Sequence, residues 1–209
     1  MTDYNDVLTH GVTESTPKNI MLGAGTIHKN LTYDQTKKTW NFKDSLIGAT
    51  SGGNKLSITP EIKTVEVDGA LVKVKGLDFK QGETAKLETN IIEITPELLK
   101  TTVIGKLGTS DVEGYDVIES KPKIEEGDYF ENLGFVGKKV DGTPIIVIFD
   151  NALCTSGFEG EGKNKDATIV KATFECYQNT TGDLSILPYH IYYPSESSKS
   201  SKINTPTAK

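Results

Sequence analysis

The sequence predicts a mainly β domain in which two packed antiparallel sheets form a sandwich or partly closed barrel, flanked by one α-helix. Three observations support this fold class. Apolar and polar residues alternate in several short runs, as in half-buried strands. Asp68-Gly69 and Asp141-Gly142 each separate two such runs, a strong hairpin signal because the turn needs positive φ. One stretch, about residues 95–105, has the start signals and spacing of a helix.

The first third of the chain combines one predicted strand with long polar stretches. Residues 1–17 are polar and aperiodic and are predicted to form an N-terminal arm. Residues 18–29 are predicted to form the first strand of a single domain that spans 18–194. Residues 31–53 are predicted to be a long loop, and a loop of that length inside a compact domain indicates a function.

Three further strands are predicted between this loop and the helix. "EIKTVEV" and "ALVKVKG" would form a hairpin around Asp68-Gly69. Residues 84–94 would form a further strand, with one apolar face that includes Ala85, Leu87 and Ile91.

The helix prediction depends on its first turn. Thr95 has the side chain of an N-cap, Pro96 suits the first helical position, and Glu97 suits the first turn. Gly105 is expected to end the helix. A helix this short requires packing against a sheet.

The C-terminal half contains a second predicted hairpin, 131–140 with 145–153. Its second strand carries five successive apolar residues, 145–149, so it is expected to be covered on both faces, by its own domain or by a neighbouring subunit. Residues 167–178 alternate, with Phe174 among the inward positions, and a last strand is predicted to end at Pro194. Residues 195–209 have the composition of a flexible tail.

Composition argues against several functional classes. The net charge is −6, which disfavours tight binding of nucleic acid, since phosphate affinity needs clustered Lys and Arg. The segment 111–131 carries eight acids and two lysines; it is either a solvated loop or an acidic surface that faces a partner. Neither a transmembrane helix nor a signal peptide is predicted, and the two cysteines are expected to be reduced.

Catalytic and ligand-binding motifs are not found. "GATSGGNKLS" resembles a phosphate-binding loop, but Leu56 follows the lysine and a strand follows the loop, so nucleotide binding is not expected. The three histidines lack metal-ligand spacing, and no nucleophile elbow is present. The chain is therefore expected to have no enzymatic activity, metal or cofactor.

The order of several short motifs resembles a known family. "IGATSGGNKLSITPEIKTVEVDGALVKVKGLDF" is followed by "LETNIIEITPELLKTTVIG", "KVDGTPIIVIFDNAL" and "ATIVKATFECYQN". Together they are similar to the major tail proteins, or tail tube proteins, of long-tailed, non-contractile phages and prophages of Gram-positive bacteria. The resemblance covers roughly residues 18–194 and leaves out both terminal segments and the acidic segment.

The resemblance implies a structural virion protein. Such proteins form hexameric rings that stack into a hollow tube, through which double-stranded DNA passes at ejection without specific binding. It implies self-association, a tape measure protein and a tail terminator as partners, assembly in the host cytoplasm, and no cofactor or membrane. Pairing of sheet edges between subunits would also protect exposed strands.

Two groups of residues are candidates for roles in such a tube. The first group would line the channel and has mixed charge, so that opposite charges on facing strands would leave a near-neutral wall. Its members are Glu61, Glu66, Asp68, Lys73, Lys75, Lys86, Glu88 and Asn90. The second group would belong to the inter-subunit loop 31–53, with the glycines as its hinge. Its members are Trp40, Phe42, Gly48, Gly52 and Gly53.

Three alternatives remain open from the sequence. The same subunit design would serve a phage-tail-like bacteriocin or an injection machine, with another cargo. A monomeric β-sandwich binding or adhesion module would be expected to expose aromatic residues, and Tyr189, Tyr192 and Tyr193 form the single cluster of that kind. An enzyme is the remaining alternative, and no motif favours it.

Overall fold

The computed structural model of the chain describes residues 10–162 and 164–195, and most of its regular structure is β. The strands are β1 (Met21–His28), β2 (Tyr33–Asp34), β3 (Thr39–Trp40), β4 (Thr50–Thr64), β5 (Asp78–Ile91), β6 (Gly105–Gly108), β7 (Val117–Ser120), β8 (Phe130–Lys139), β9 (Pro144–Cys154), β10 (Gly160–Glu161), β11 (Ile169–Cys176) and β12 (Tyr189–Tyr192). The helices are α1 (Thr16–Asn19), α2 (Phe42–Ser45) and α3 (Pro96–Thr102), with a 3₁₀ turn at Glu126–Asp128.

One large antiparallel sheet organises the molecule and confirms the mainly β class. Its strand order is β1-β8-β9-β11-β5-β4, with β10 beside β11 and β12 beside β9. Two small two-stranded sheets, β2-β3 and β6-β7, account for the remaining described strands. β9 has three partners, because β12 pairs with its first half and β11 with its last residues.

The two ends of the large sheet approach each other without a strand ladder between them. The side-chain amide of Asn54 on β4 donates to the carbonyl oxygen of Ala24 on β1, at 3.0 Å. A short segment, 45–49, spans the gap: the amide of Lys29 donates to Ser45 at 2.7 Å, and the amide of Ile92 donates to Ala49 at 3.0 Å. The sheet therefore curls until its ends meet but remains open.

The main core lies inside this curl. Every second residue of β11 points inward and is buried, which confirms the predicted alternation of Val170, Ala172, Phe174 and Cys176. Leu87 on the neighbouring β5 joins them, again at an alternate position.

The apolar run 145–149 of β9 is covered on both faces by its own chain. Val147 and Phe149 enter the main core, whereas Ile146 and Ile148 pack with Leu31 in a second cluster on the outer side. The run 145–149 was expected to be covered on both faces, and its own chain supplies the cover on each.

The second cluster requires a glycine on β8. Gly134 lies opposite Ile148 in the ladder, and a Cβ atom at this position would overlap the side chain of Leu31. Because interiors are close-packed, the backbone of β8 can approach Leu31 only where the side chain is absent.

The predicted hairpin around Asp68-Gly69 is wrong. β4 and β5 pair with each other over their whole length, and residues 65–77 form the loop that joins them. Asp68-Gly69 forms a turn inside that loop, where the amide of Ala70 donates to Val67 at 3.0 Å and Gly69 has φ +86°. The apolar residues of the loop have no core to enter, so their alternation does not produce strands.

The predicted helix is confirmed, with a different end. The hydroxyl of Thr95 accepts from the amide of Leu98 at 3.2 Å, as an N-cap does, and Leu98 is buried in the main core. The helix ends at Thr102, and Ile104, with φ +49°, takes the left-handed conformation expected of Gly105. Gly105 starts β6 instead. Two further single-turn helices, α1 and α2, were not predicted.

The stretch 31–53, predicted as a long loop, is largely structured. It contains the β2-β3 hairpin, α2 and the first residues of β4. Of the predicted terminal segments, residues 1–9 and 196–209 lie outside the described residues. Within the described ranges, no helix is long and apolar enough to cross a membrane.

Candidate functional site

The structure separates the channel-lining candidates into two groups. Lys86, Glu88 and Asn90 lie on the outward face of β5, and Glu61 lies on β4. The other four candidates lie in the exposed loop between these strands: Glu66, Asp68, Lys73 and Lys75. The eight residues therefore do not form one strand face, although all belong to one hairpin.

Opposite charges are paired across the outward face of β4, β5 and β11. The amino group of Lys55 lies 2.7 Å from a carboxylate oxygen of Glu88, and that of Lys86 lies 2.7 Å from Glu175. The hydrogen bond and charge of Glu175 raise the pKa of Lys86. The face consequently carries alternating charges that neutralise one another locally.

Glu175 was missed as a site residue, although the sequence contains a signal for it. Since Phe174 and Cys176 point inward, Glu175 has to point outward from the same strand. The pairing of β11 with β5, which places Glu175 opposite Lys86, joins residues 89 positions apart and has no local signature.

A polar groove of about 350 Å³ lies on the same face. Gly52 and Gly53 form one wall, with φ of +83° and +88°, at a bulge in β4. The side-chain amide of Asn90 donates to the carbonyl oxygen of Gly53 at 3.3 Å. These two glycines lie inside the sheet, and Gly48 lies in the segment that spans the gap, against Glu93.

The groove offers hydrogen bonds and paired charges to a solute. Among the described residues, no three His, Cys, Asp or Glu side chains are grouped so that they could hold a metal ion. Burial raises the pKa of the Cys176 thiol to about 12, so this thiol is a poor nucleophile at neutral pH.

Trp40 and Phe42, predicted to lie at a subunit interface, pack against their own chain. We call residues 30–46 the insertion. The ring of Trp40 lies 5.1 Å from Tyr192 and 6.4 Å from Phe42, as measured between centroids. Both aromatic rings cover the second cluster, next to Leu31.

A buried histidine anchors the insertion to β1. The Nδ1 atom of His28 lies 2.9 Å from the Ser45 hydroxyl, and its Nε2 atom lies 2.8 Å from the Thr26 hydroxyl. Because the Ser45 hydroxyl donates to the carbonyl oxygen of Asn41, it accepts from Nδ1, which therefore carries the proton. Burial lowers the pKa of His28, so the ring is neutral at pH 7.

The outer part of the β4-β5 hairpin behaves differently from the insertion. We call residues 61–81 the ribbon and residues 65–77 its tip. β11 pairs with β5 only as far as Lys86, so the two ribbon strands have no other described strand beside them. Exposed apolar side chains are concentrated at the tip. They are Val65, Val67, Leu71, Val72 and Val74.

The composition of the tip is unusual for a solvated loop. Leu71 is 97% exposed and Val72 is 76% exposed. A two-stranded ribbon is marginally stable alone in water, and clustered exposed apolar residues mark contact surfaces. The ribbon is therefore the strongest candidate in the described chain for a protein contact.

The acidic segment 111–131 is partly neutralised by two lysines. Lys106 lies 3.2 Å from Glu119, and Lys121 pairs with two acids. The amino group of Lys121 lies 2.8 Å from Glu125 and 2.6 Å from Asp128. Burial opposes ionisation of Asp128, but the hydrogen bonds from Lys121 and from the Glu125 amide outweigh it and lower the Asp128 pKa. The turn at Glu126–Asp128 is thereby fixed, and the rest of the acidic excess stays on the surface.

The comparisons with known proteins do not add a family to this description. The chain matches no protein-family model and no curated protein sequence.

Proposed function

We propose that the chain is a structural virion protein that polymerises as stacked hexameric rings into a phage tail tube, the conduit for DNA ejection. The fold would then be the sandwich-like tail-tube fold, and the protein would reside in the virion after assembly in the host cytoplasm. A tape measure protein and a tail terminator would be its partners. The motif order from residue 47 to residue 179 supplies the family resemblance.

The exposed apolar tip of the ribbon is the main observation that supports the proposal. The ribbon projects from the sheet with five exposed apolar residues at its tip, and such a surface is costly to leave in water. A second copy of the chain that covers the tip would remove this cost. One contact of this kind that joins unlike surfaces generates a ring or a filament.

Free strand edges support association around a ring. β4 is 15 residues long and pairs with β5 alone among the described strands. Beyond Asn54, its other edge offers unpaired backbone groups that a neighbouring copy would satisfy. In a monomer, an exposed edge of this length would promote aggregation, whereas in a polymer it would pair with the neighbouring subunit.

The paired charges on β4, β5 and β11 support the role of a conduit. A wall rich in unpaired Lys and Arg would hold phosphates tightly and retard DNA. Lys55 and Lys86 are each paired with a carboxylate at 2.7 Å, so the face offers little net attraction. Such a surface suits DNA that passes without binding.

Electron microscopy of the purified full-length chain at high concentration tests the proposal. We expect rings or hollow tubes. The variant Leu71→Ser/Val72→Ser should remain folded and lose assembly, because it removes apolar surface that only a partner covers. Leu184→Ser is the matched control, since Leu184 is exposed outside the ribbon. A wild-type chain that stays monomeric at every concentration would contradict the proposal.

A further inference from the structure

A second exposed apolar site lies at the end of the molecule that carries α3. It is a groove of about 600 Å³ between the helix, the segment 46–47 and β6. Leu46, Ile47, Pro96 and Leu107 supply its apolar lining, and Leu107 is 62% exposed. Within the described chain, no side chain fills this groove, and its apolar walls remain in contact with water.

The groove and the ribbon tip lie at opposite ends of one hairpin. Ile91, at the end of β5 that leads into α3, pairs with Thr50, whereas Asp78, at the other end, pairs with Thr64 beside the tip. The two ends of β5 are thirteen residue steps apart, roughly 43 Å at about 3.3 Å per residue. A single molecule therefore cannot insert its own tip into its own groove, and the tip of a second molecule can reach it.

The charges around the two surfaces are complementary. The tip carries acids on its first side, Glu66 and Asp68, and lysines on its second side. The groove carries Lys100 on its helix, and Lys29 forms an ion pair with Glu97 at 2.5 Å. Both surfaces are therefore apolar with acidic and basic side chains at their margins, so opposite charges can face each other when the tip enters the groove.

We infer that the groove beside α3 receives the ribbon tip of a second copy of this chain, with Leu71 and Val72 next to Leu107 and with Asp68 facing Lys100. This inference rests on the proposed self-association and names the two surfaces that meet. The contact joins unlike surfaces, so a pair of copies keeps one tip and one groove free, and the chain of contacts continues along the hairpin axis.

Cysteine crosslinking between two variants tests the contact. Leu71→Cys and Leu107→Cys are mixed as full-length chains under assembly conditions and treated with a short bis-maleimide linker. The native Cys154 and Cys176 are buried and should not react. We expect a crosslinked dimer from the mixture, and little from either variant alone, because the contact pairs residue 71 of one copy with residue 107 of the next. Leu184→Cys mixed with Leu107→Cys is the control.

The outcomes separate this inference from the proposed function. Tubes that form without the 71–107 crosslink would overturn the docking site and leave the tube proposal standing. A crosslinked pair without rings or tubes would support the docking site and contradict the tube. Neither association nor crosslinking would overturn both. Equal crosslinking with the Leu184→Cys control would also overturn the docking site.

Charge reversal sharpens the test without a change in apolar surface. Lys100→Glu in the Leu107→Cys chain should lower the crosslink yield several-fold, because it places a carboxylate opposite Asp68. Asp68→Lys in the Leu71→Cys chain should restore the yield. Both positions are exposed or half-buried surface sites, so folding should be unaffected. A yield that does not respond to either reversal would contradict the proposed facing of Asp68 and Lys100.

Discussion

The insertion and the ribbon tip both extend from the same sheet, but the insertion packs its apolar residues against that sheet, whereas the tip exposes them to solvent. The insertion turns Leu31, Trp40 and Phe42 onto the outer face of β9, where Leu31 is buried and the two aromatic rings are partly buried. The tip holds Leu71 and Val72 out in water. A mainly polar stretch is thus packed against its own chain, and a stretch with strand-like alternation is left exposed to solvent. Neither the polarity nor the alternation of a stretch therefore predicts whether its apolar residues are buried.

The largest expected effect comes from one substitution made in both regions. Leu31→Ala should destabilise the chain by about 2–5 kcal/mol, because Leu31 is 1% exposed and its loss leaves a cavity. Leu71→Ala should change the free energy of unfolding by less than about 0.5 kcal/mol, because its side chain meets solvent. Urea denaturation of dilute protein measures both. Comparable losses from the two variants would show that the tip packs within the monomer.

A smaller effect is expected from the glycine beneath the insertion. Gly134→Ala should cost about 1–3 kcal/mol, because the new methyl group overlaps Leu31 and forces the insertion outward. Gly127→Ala is the control, since a Cβ atom there meets no atom within 4 Å. The two variants are compared by thermal and urea denaturation. If Gly134→Ala left the stability unchanged, the insertion would be able to move aside for the new methyl group without cost. That result would weaken the contrast with the ribbon.

The smallest expected effect is a pH dependence confined to the insertion. His28 has a lowered pKa in the folded state, so the unfolded chain binds a proton first as the pH falls through about 6.5. Stability is complete above that pH and decreases below it, by at most about 1.4 kcal/mol per pH unit, until the pH reaches the folded-state pKa. The fluorescence of Trp40, the single tryptophan, reports the insertion directly.

The variant His28→Gln supplies the control for that measurement. It should be less stable than the wild type at pH 7.5 and should lose the histidine part of the decline between pH 7 and pH 5. Subtracting the two profiles removes the contributions of carboxylates elsewhere. Parallel profiles would show that His28 does not link the insertion to pH.

Several local signals in the sequence predicted local structure correctly. The start of α3 was predictable because Thr95, Pro96 and Glu97 act within one turn. The hairpin around Asp141-Gly142 and the inward face of β11 were predictable because each depends on neighbouring residues. The end of α3 was not, since Ile104 adopts a positive φ that its type does not favour.

Features set by distant contacts were not predictable. The Asp68-Gly69 signal is as strong locally as Asp141-Gly142. The runs beside Asp68-Gly69 contain no buried residue, however, whereas the runs beside Asp141-Gly142 belong to β8 and β9, which enter the core. The pairing of Lys86 with Glu175 and the docking of the insertion on β9 depend on strand order, which alternation does not encode. The groove beside α3 combines three segments far apart in the chain and has no sequence signature.

The gap between β1 and β4 has a mechanical consequence. A closed barrel spreads a radial load over continuous ladders, whereas this sheet is fastened there by the side chain of Asn54 and the short segment 45–49. Tension around the circumference would therefore concentrate on that seam, which would part before the ladders do. The molecule would then change its circumference at one place, and a wall built of such units would yield at its seams while each sheet kept its shape.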